Sequence, residues 1–481
     1  MSDNGSPVPP RHEPRPQRLL AEQAFARAAG APLCGGNRLR LLRDATGNYP
    51  AWLAAIHNAR FSIHCENYII QDDAVGREFI AALAARARAG VRVRLLYDWM
   101  GTFLLSSRAF FRPLVEAGGE VRAFNPLRPG RPFGWMARDH RKSLVVDGEV
   151  GFVSGLCISA RWLGRPERHQ APWRDTGIEV RGPAVADILA GFGQTWALAG
   201  APLPLEEQVR AETLAPAGDT LLRVIASSPY SSGLYRLDQL IAAMAEETLW
   251  LTDAYFLGTP AYVQALCAAA QDDVDVRLLV PSTSDIPLIS PFSRAGYRPL
   301  LEAGVRVFEW NGSMLHAKTA VADGRWARVG SSNLNLASWI GNYELDVAVE
   351  DEGFAQDMEV MYLQDLEQAT EIVLSERHRI RPRERRPRVH RLRPRAGMAS
   401  ALRLGNTVAA AVQQRRVLGA VEAATLLFTG LLLLGLGAVG LWRPALLAWP
   451  LAALFLWLAV ILLLQALRLW QRPPRRPPDD D

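Results

Sequence analysis

Between Gly36 and Leu374 short runs rich in β-branched residues alternate with longer stretches whose apolar residues recur every three or four positions. The short runs, such as FSIHCENYII (Phe61–Ile70) and GVRVRLLYD (Gly90–Asp98), are bounded by Gly, Asn or Asp and read as strands. The longer ones, such as FIAALAARARAG (Phe79–Gly90), read as amphipathic helices. Strands alternating with helices predict α/β layers.

The pattern occurs twice. FRPLVEAGGEVRAF (Phe111–Phe124) aligns with YRPLLEAGVRVFEW (Tyr297–Trp310), and FIAALAARARAGVRVRLLYD with YVQALCAAAQDDVDVRLLVP (Tyr262–Pro281). Further upstream, FSIHCENYII aligns with TLWLTDAYFL (Thr248–Leu257). Copies about 180 residues apart are domain-sized units, not solenoid repeats. The expectation is two similar α/β domains, 36–205 and 218–374, facing each other about a pseudo-twofold axis.

The ends differ. Residues 1–35 begin Pro-rich and polar, without the apolar core of a signal peptide, and read as a disordered arm. Ten arginines between Arg377 and Arg395 mark 375–416 as a solvated linker. Beyond it Ala423–Trp442 and Ala445–Leu467 are almost wholly apolar. At about 1.5 Å per residue each run is long enough for a bilayer core of about 30 Å. A transmembrane helical hairpin is therefore expected over 417–470, with Trp442, Trp449 and Trp470 near its ends. Arginines flank its outer ends, which puts both termini and the two α/β domains on the cytoplasmic side of the membrane.

Charge narrows the picture further. The net charge is +5, which suits nucleic acid or an anionic membrane. Of 54 basic residues only Lys142 and Lys318 are lysines, so these two compact ammonium groups are the first candidates for chemistry. The four cysteines are widely spaced, have no C-x-x-C pair, and read as buried thiols of a reduced compartment.

Both lysines fall in one repeated motif, HRKSLVVDG (His140–Gly148) and HAKTAVADG (His316–Gly324). In extended chain, residues two apart face the same way, so each histidine shares a face with its lysine. Asp147-Gly148 and Asp323-Gly324 are hairpin turns by composition. Two His–Lys pairs gathered in one pocket suit phosphodiester exchange. One neutral imidazole attacks phosphorus, the other moves the proton of the leaving or entering oxygen, and the lysines stabilise the phosphoryl oxygens. That chemistry calls for no cofactor or metal.

With these motifs the chain resembles the phospholipase D superfamily, in its bacterial cardiolipin synthase branch. The resemblance also rests on ENYIIQDDAVG, GVRVRLLYDWMG, WRDTGIEVRGPAV and SRAGYRPLLEAGV, and spans about Gly36 to Leu374. It implies phosphatidyl transfer through a phosphohistidine. His140, Lys142, Asp147, His316, Lys318 and Asp323 form the motif residues, with His140 as nucleophile and His316 as acid and base. It further implies that Asp175 and Glu344 orient the histidines, each serving the opposite copy, and that Ser331 and Asn333 support the phosphate. As turn residues Asp147 and Asp323 are expected to hold the hairpins. Cys157 stands where the first copy's relatives have Asn, and Asn335 where Asp is common. The implied substrates are phosphatidylglycerol and phosphatidylethanolamine at an anionic membrane. Water as acceptor would make the enzyme a hydrolase. A nuclease of the same superfamily and an inactive scaffold are the other readings; a transmembrane hairpin without a basic, aromatic-lined groove speaks against nucleic acid, and two intact His–Lys pairs against the scaffold.

Overall fold

The computed structural model describes residues 16–127, 136–164, 170–229, 231, 233–286 and 293–374, with scattered positions between 434 and 460. The first copy supplies β1 (Cys34–Arg43), β2 (Ser62–Asn67), β3 (Arg92–Asp98), β4 (Glu120–Phe124), β5 (Ser143–Val146), β6 (Val150–Ser154) and β7 (Thr176–Arg181). The second supplies β8 (Thr220–Ser227), β9 (Thr248–Thr252), β10 (Asp275–Pro281), β11 (Arg306–Trp310), β12 (Thr319–Ala322), β13 (Trp326–Gly330) and β14 (Glu344–Glu350). A last strand, β15 (Ala369–Ile372), adds to the outer edge beside β11.

The hydrogen-bonded order is β15-β11-β10-β9-β12-β13-β14-β8-β1-β7-β6-β5-β2-β3-β4. Read outward from the β8–β1 junction, the two copies repeat each other strand for strand. In each copy three parallel strands (β2, β3, β4 or β9, β10, β11) are followed by antiparallel ones. Helices Ala74–Arg88 and Pro260–Gln271 make the corresponding crossovers after β2 and β9. The copies join where β1 pairs antiparallel with β8 through Cys34 and Asn37, with an irregular register between them.

Helix Val185–Ala199 follows β7, and Glu352–Leu366 follows β14. Their apolar faces meet in one central core that takes Ile188, Phe192 and Trp196 from the first copy and Val347, Met358 and Tyr362 from the second. The shared core, together with the continuous sheet, fixes the two copies against each other.

The expected disordered arm needs correction. Residues 16–29 form a helix, Pro16–Ala29, and Ala29 and Ala31 are buried against Leu234 and Leu237 of helix Gly233–Met244. A Cβ on Gly233 would lie 2.5 Å from the Ala29 carbonyl oxygen, so glycine permits this close approach. The Pro-rich start conceals an alanine-rich segment of high helix propensity. The Arg-rich segment 375–416 lies outside the described residues, as does most of 417–470. Among the described residues no helix is long and apolar enough to cross a membrane.

The hairpin turns have the chemistry their composition predicts. Asp147 and Gly148 have φ of 55° and 68°, and Asp323 and Gly324 have 52° and 61°. Two consecutive left-handed residues are what a tight hairpin of this twist requires. Asp147 also accepts the amides of Arg60, Phe61 and Ser62 at 2.7–2.8 Å. Asp323 likewise accepts those of Glu246, Glu247 and Thr248. Although grouped with the catalytic residues by motif, both carboxylates bind the turn to the start of β2 or β9.

Candidate active site

The His-x-Lys segments lie just ahead of β5 and β12, where the chain is still extended. Each is hydrogen-bonded to the other copy. The His140 amide donates to the Tyr343 carbonyl (2.9 Å), and the Tyr343 amide to the Arg138 carbonyl (2.8 Å). The His316 amide donates to the Arg174 carbonyl (2.7 Å), and the Arg174 amide to the Met314 carbonyl (2.8 Å). Tyr343 and Arg174 immediately precede Glu344 and Asp175, so these backbone bridges set each carboxylate beside the opposite copy's histidine.

The side chains complete the crossing. His140 Nδ1 lies 2.9 Å from Glu344 Oε2, and His316 Nδ1 lies 2.8 Å from Asp175 Oδ2. A carboxylate at Nδ1 holds the proton there and leaves Nε2 as the nucleophilic or basic nitrogen. Glu344 accepts from Ser331 Oγ (2.5 Å) and from Asn342 Nδ2 (3.3 Å). Asp175 accepts from Trp162 Nε1 and the Thr176 amide, both at 2.8 Å. The serine of one copy is answered by the indole of the other. A Cβ on Gly155, at the position of Ser331, would come within 2.2 Å of Asp175 Oδ1, which leaves no room for a serine.

Both lysines are buried. Lys142 Nζ and Lys318 Nζ each donate to the carbonyl of the histidine two residues back, and Lys318 Nζ lies 2.9 Å from His316 Nδ1. Tyr68 meets His140 edge-on at 4.8 Å and lies 5.2 Å from Lys142 Nζ. Tyr255, its counterpart in the repeat, is 5.8 Å from both the His316 ring and Lys318 Nζ. Trp162 and Trp173 border His316 at 5.2 and 5.8 Å.

Burial depresses the pKa of both imidazoles, and nearby lysine charge adds to the effect, against the pull of the paired carboxylates. His316 falls to about 4. The first copy's Lys142 also lowers His316 and the second copy's Lys318 also lowers His140, so the charges of the two motifs act on each other. Lys318 is brought down to about 8, chiefly by burial and also by Lys142, with Asp175 opposing. Burial works to raise Asp175 and Glu344, yet the imidazole and lysine beside each hold both carboxyls below their usual range. The resting pocket thus pairs anionic carboxylates with neutral imidazoles, ready to receive a phosphodiester anion.

Asn333 is buried, and its Oδ1 has no hydrogen-bond partner among the described residues. Cys157, its counterpart, is buried too; burial raises its thiol pKa while Lys142 and Lys318 oppose. Asn335 holds the adjoining loop, donating to the Tyr255 carbonyl (3.0 Å) and accepting from the Ser338 amide (3.1 Å). Among the described residues no group of three or more His, Cys, Asp and Glu side chains gathers as a metal site. Sequence reasoning missed Tyr68, Tyr255 and Trp162. The tyrosines carried a signal, since they occupy equal positions in the aligned FSIHCENYII and TLWLTDAYFL.

Comparison with known proteins identifies the family. The family model described as "Cardiolipin synthase, PLD-like domain" matches residues 52–166 and 238–366. Cardiolipin synthase A of Pseudomonas aeruginosa is 35% identical over 367 residues, 75% of this chain and 73% of that protein. Cardiolipin synthase of Alkalihalophilus pseudofirmus is 32% identical over 348 residues, covering 72% and 69% respectively. The crystal structure of phosphatidylserine synthase from Haemophilus influenzae has the same fold, with a TM-score of 0.56 at 14% identity over 73% of this chain and 92% of that one. The chain belongs to the phospholipase D superfamily, in its cardiolipin synthase-like branch, and is a phosphatidyltransferase of that type.

Proposed function

We propose that the enzyme moves a phosphatidyl group from one phospholipid to the hydroxyl of phosphatidylglycerol or a related alcohol, through a phosphatidyl-histidine. The observation that carries this reading is the crossed pairing, in which each imidazole is held at Nδ1 by a carboxylate of the other copy. Nε2 of His140 attacks phosphorus while His316, protonated as the anionic substrate arrives, gives its Nε2 proton to the departing alkoxide. His316 then takes the proton of the entering hydroxyl, whose oxygen attacks phosphorus and releases His140. Lys142, Lys318 and Asn333 donate to the non-bridging oxygens. Asp175 and Glu344 fix the tautomers, and Ser331 orients Glu344.

Phosphatidylglycerol and phosphatidylethanolamine are the proposed donors, drawn from the anionic cytoplasmic membrane. The two apolar runs near the C-terminus and the arginines before them hold the catalytic unit there; each basic residue near such a surface adds about 1 kcal/mol of attraction. The names of the matched cardiolipin synthases and of the phosphatidylserine synthase support lipids as substrates.

The test uses detergent-solubilised full-length protein with phosphatidylglycerol and phosphatidylethanolamine, separately and mixed, with lipid products read by mass spectrometry and His140→Ala as the blank. Cardiolipin formed only by the intact enzyme sustains the proposal. Phosphatidic acid as the sole product makes the enzyme a hydrolase. No lipid product overturns both. Rapid acid quench followed by peptide mass analysis tests the nucleophile, since a phosphatidyl adduct on His316 would reverse the two roles.

A further inference from the structure

The duplication supplies an internal comparison for a cavity that the His–Lys pairs do not use. In the second copy Arg294 donates through Nε and Nη2 to the two oxygens of Glu309, each at 2.7 Å. The alignment of Phe111–Phe124 with Tyr297–Trp310 sets Arg108 at the place of Arg294, but Ala123 at the place of Glu309. The arginine occurs in both copies and its carboxylate in one. Among the described residues Arg108 has no carboxylate partner, and it lines, with Ala123, a cavity of about 680 Å³.

The remaining walls indicate what the cavity accepts. Ser107 stands beside Arg108, its hydroxyl unused as a helix cap. Arg122 is taken up by Glu120 and by the Trp196 and Ala201 carbonyls, and Asp72 by Arg77 at 2.7 Å. Arg108 is therefore the available charge. In the same lining Phe103 and Leu104 are 49% and 87% exposed, which adds apolar surface to a cationic cavity. A phosphate ester that carries acyl chains matches both features; free phosphate matches only the first.

The cavity is one side chain away from the catalytic pocket. Thr102, in its wall, donates to the Tyr68 carbonyl (3.4 Å), and a Cβ on the neighbouring Gly101 would lie 2.7 Å from the Tyr68 ring. The same ring touches His140. We infer that this cavity binds the phosphate of a second phospholipid, the acceptor, with Arg108 as its counter-charge and Phe103 and Leu104 against its acyl chains. The donor phosphate has to lie between His140 and His316, so the acceptor's own phosphate needs another cation close by. This inference rests on the phosphatidyl-transfer reading above.

The experiment uses the full chain in detergent, with Arg108→Ala and, separately, Ala123→Glu, which rebuilds the second copy's ion pair and occupies Arg108 without removing it. Transfer to phosphatidylglycerol is measured against acceptor concentration. Both variants are expected to raise the acceptor KM about tenfold, the loss of one charge-assisted contact, with kcat approached again at saturating acceptor. Equal losses of kcat and kcat/KM, or an unchanged KM in Ala123→Glu, would overturn the inference. If the wild type makes no lipid product the transfer reading fails by itself, and calorimetric titration with soluble dihexanoyl-phosphatidylglycerol and with inorganic phosphate then reads the cavity directly. Lipid binding weakened by Ala123→Glu sustains the site. Binding that the substitution leaves unchanged, or inorganic phosphate binding as tightly as the lipid, overturns it.

Discussion

Glu344 and His140 are 204 residues apart in sequence and 2.9 Å apart in the folded chain, and Asp175 repeats the relationship with His316 at 2.8 Å. The carboxylates are buried and hold each ring in one tautomer. Glu344→Gln and Asp175→Asn, which keep shape and remove charge, are each expected to lower kcat by about 10²- to 10⁴-fold. Circular dichroism should show the fold retained. A loss of less than tenfold in either variant would remove its carboxylate from the mechanism.

His140→Ala and His316→Ala should each abolish turnover. The proposed steps differ, however. Only His316→Ala retains a nucleophile, so with a donor bearing a good leaving group, such as p-nitrophenol, it should give a single burst of phenolate. A burst from His140→Ala instead would exchange the two roles.

Lys318 is brought to about 8 by burial, well below the usual 10.5. An alkaline limb in kcat/KM is therefore expected near pH 8. Between pH 8 and 10.5 the unfolded chain holds this proton more firmly than the folded one, so this group's contribution to stability rises with pH there. Activity and this stability term move in opposite directions, which distinguishes deprotonation from unfolding. Lys318→Arg keeps its charge and should move the limb upward even at reduced rate. A limb left in place would mean that another group titrates.

Cys157 occupies the place of Asn333 and sits under the influence of both lysines. Cys157→Asn adds an amide donor, and turnover should be preserved or raised. Collapse of activity in a folded variant would reveal a role for the thiol.

Asp147→Asn and Asp323→Asn keep a residue that tolerates positive φ but lose the charge that binds three amides. Each should lower stability by about 1–3 kcal/mol and leave kcat per folded molecule close to wild type. Chemical denaturation and active-site titration separate the two effects. A large fall in kcat at full occupancy would return these carboxylates to the chemistry.

The duplicated site was legible because, of the 54 lysines and arginines, all but Lys142 and Lys318 are arginine, so these two stand out. Asp175 and Glu344 were located through the resemblance to the phospholipase D superfamily, and the repeat by itself did not single them out. Trp162 has a counterpart in the repeat, since ARWLG (Ala160–Gly164) matches ASWIG (Ala337–Gly341). Its role was not legible because Trp162 Nε1 donates to Asp175, whereas Trp339 Nε1 has no hydrogen-bond partner among the described residues. The helix over Pro16–Ala29 was hidden for a different reason: its burial depends on Gly233, more than two hundred residues away. The β1–β8 pairing rests on backbone groups and leaves no side-chain pattern to read.

The crossed carboxylates also govern when the enzyme comes into being. A ribosome that has completed the first copy has made His140 and Lys142 but has not yet reached Glu344, and Asp175 waits equally for His316. Neither half alone holds a correctly oriented imidazole. On the mechanism proposed above, a nascent, truncated or half-folded chain is therefore expected to be inactive until the second copy closes against the first.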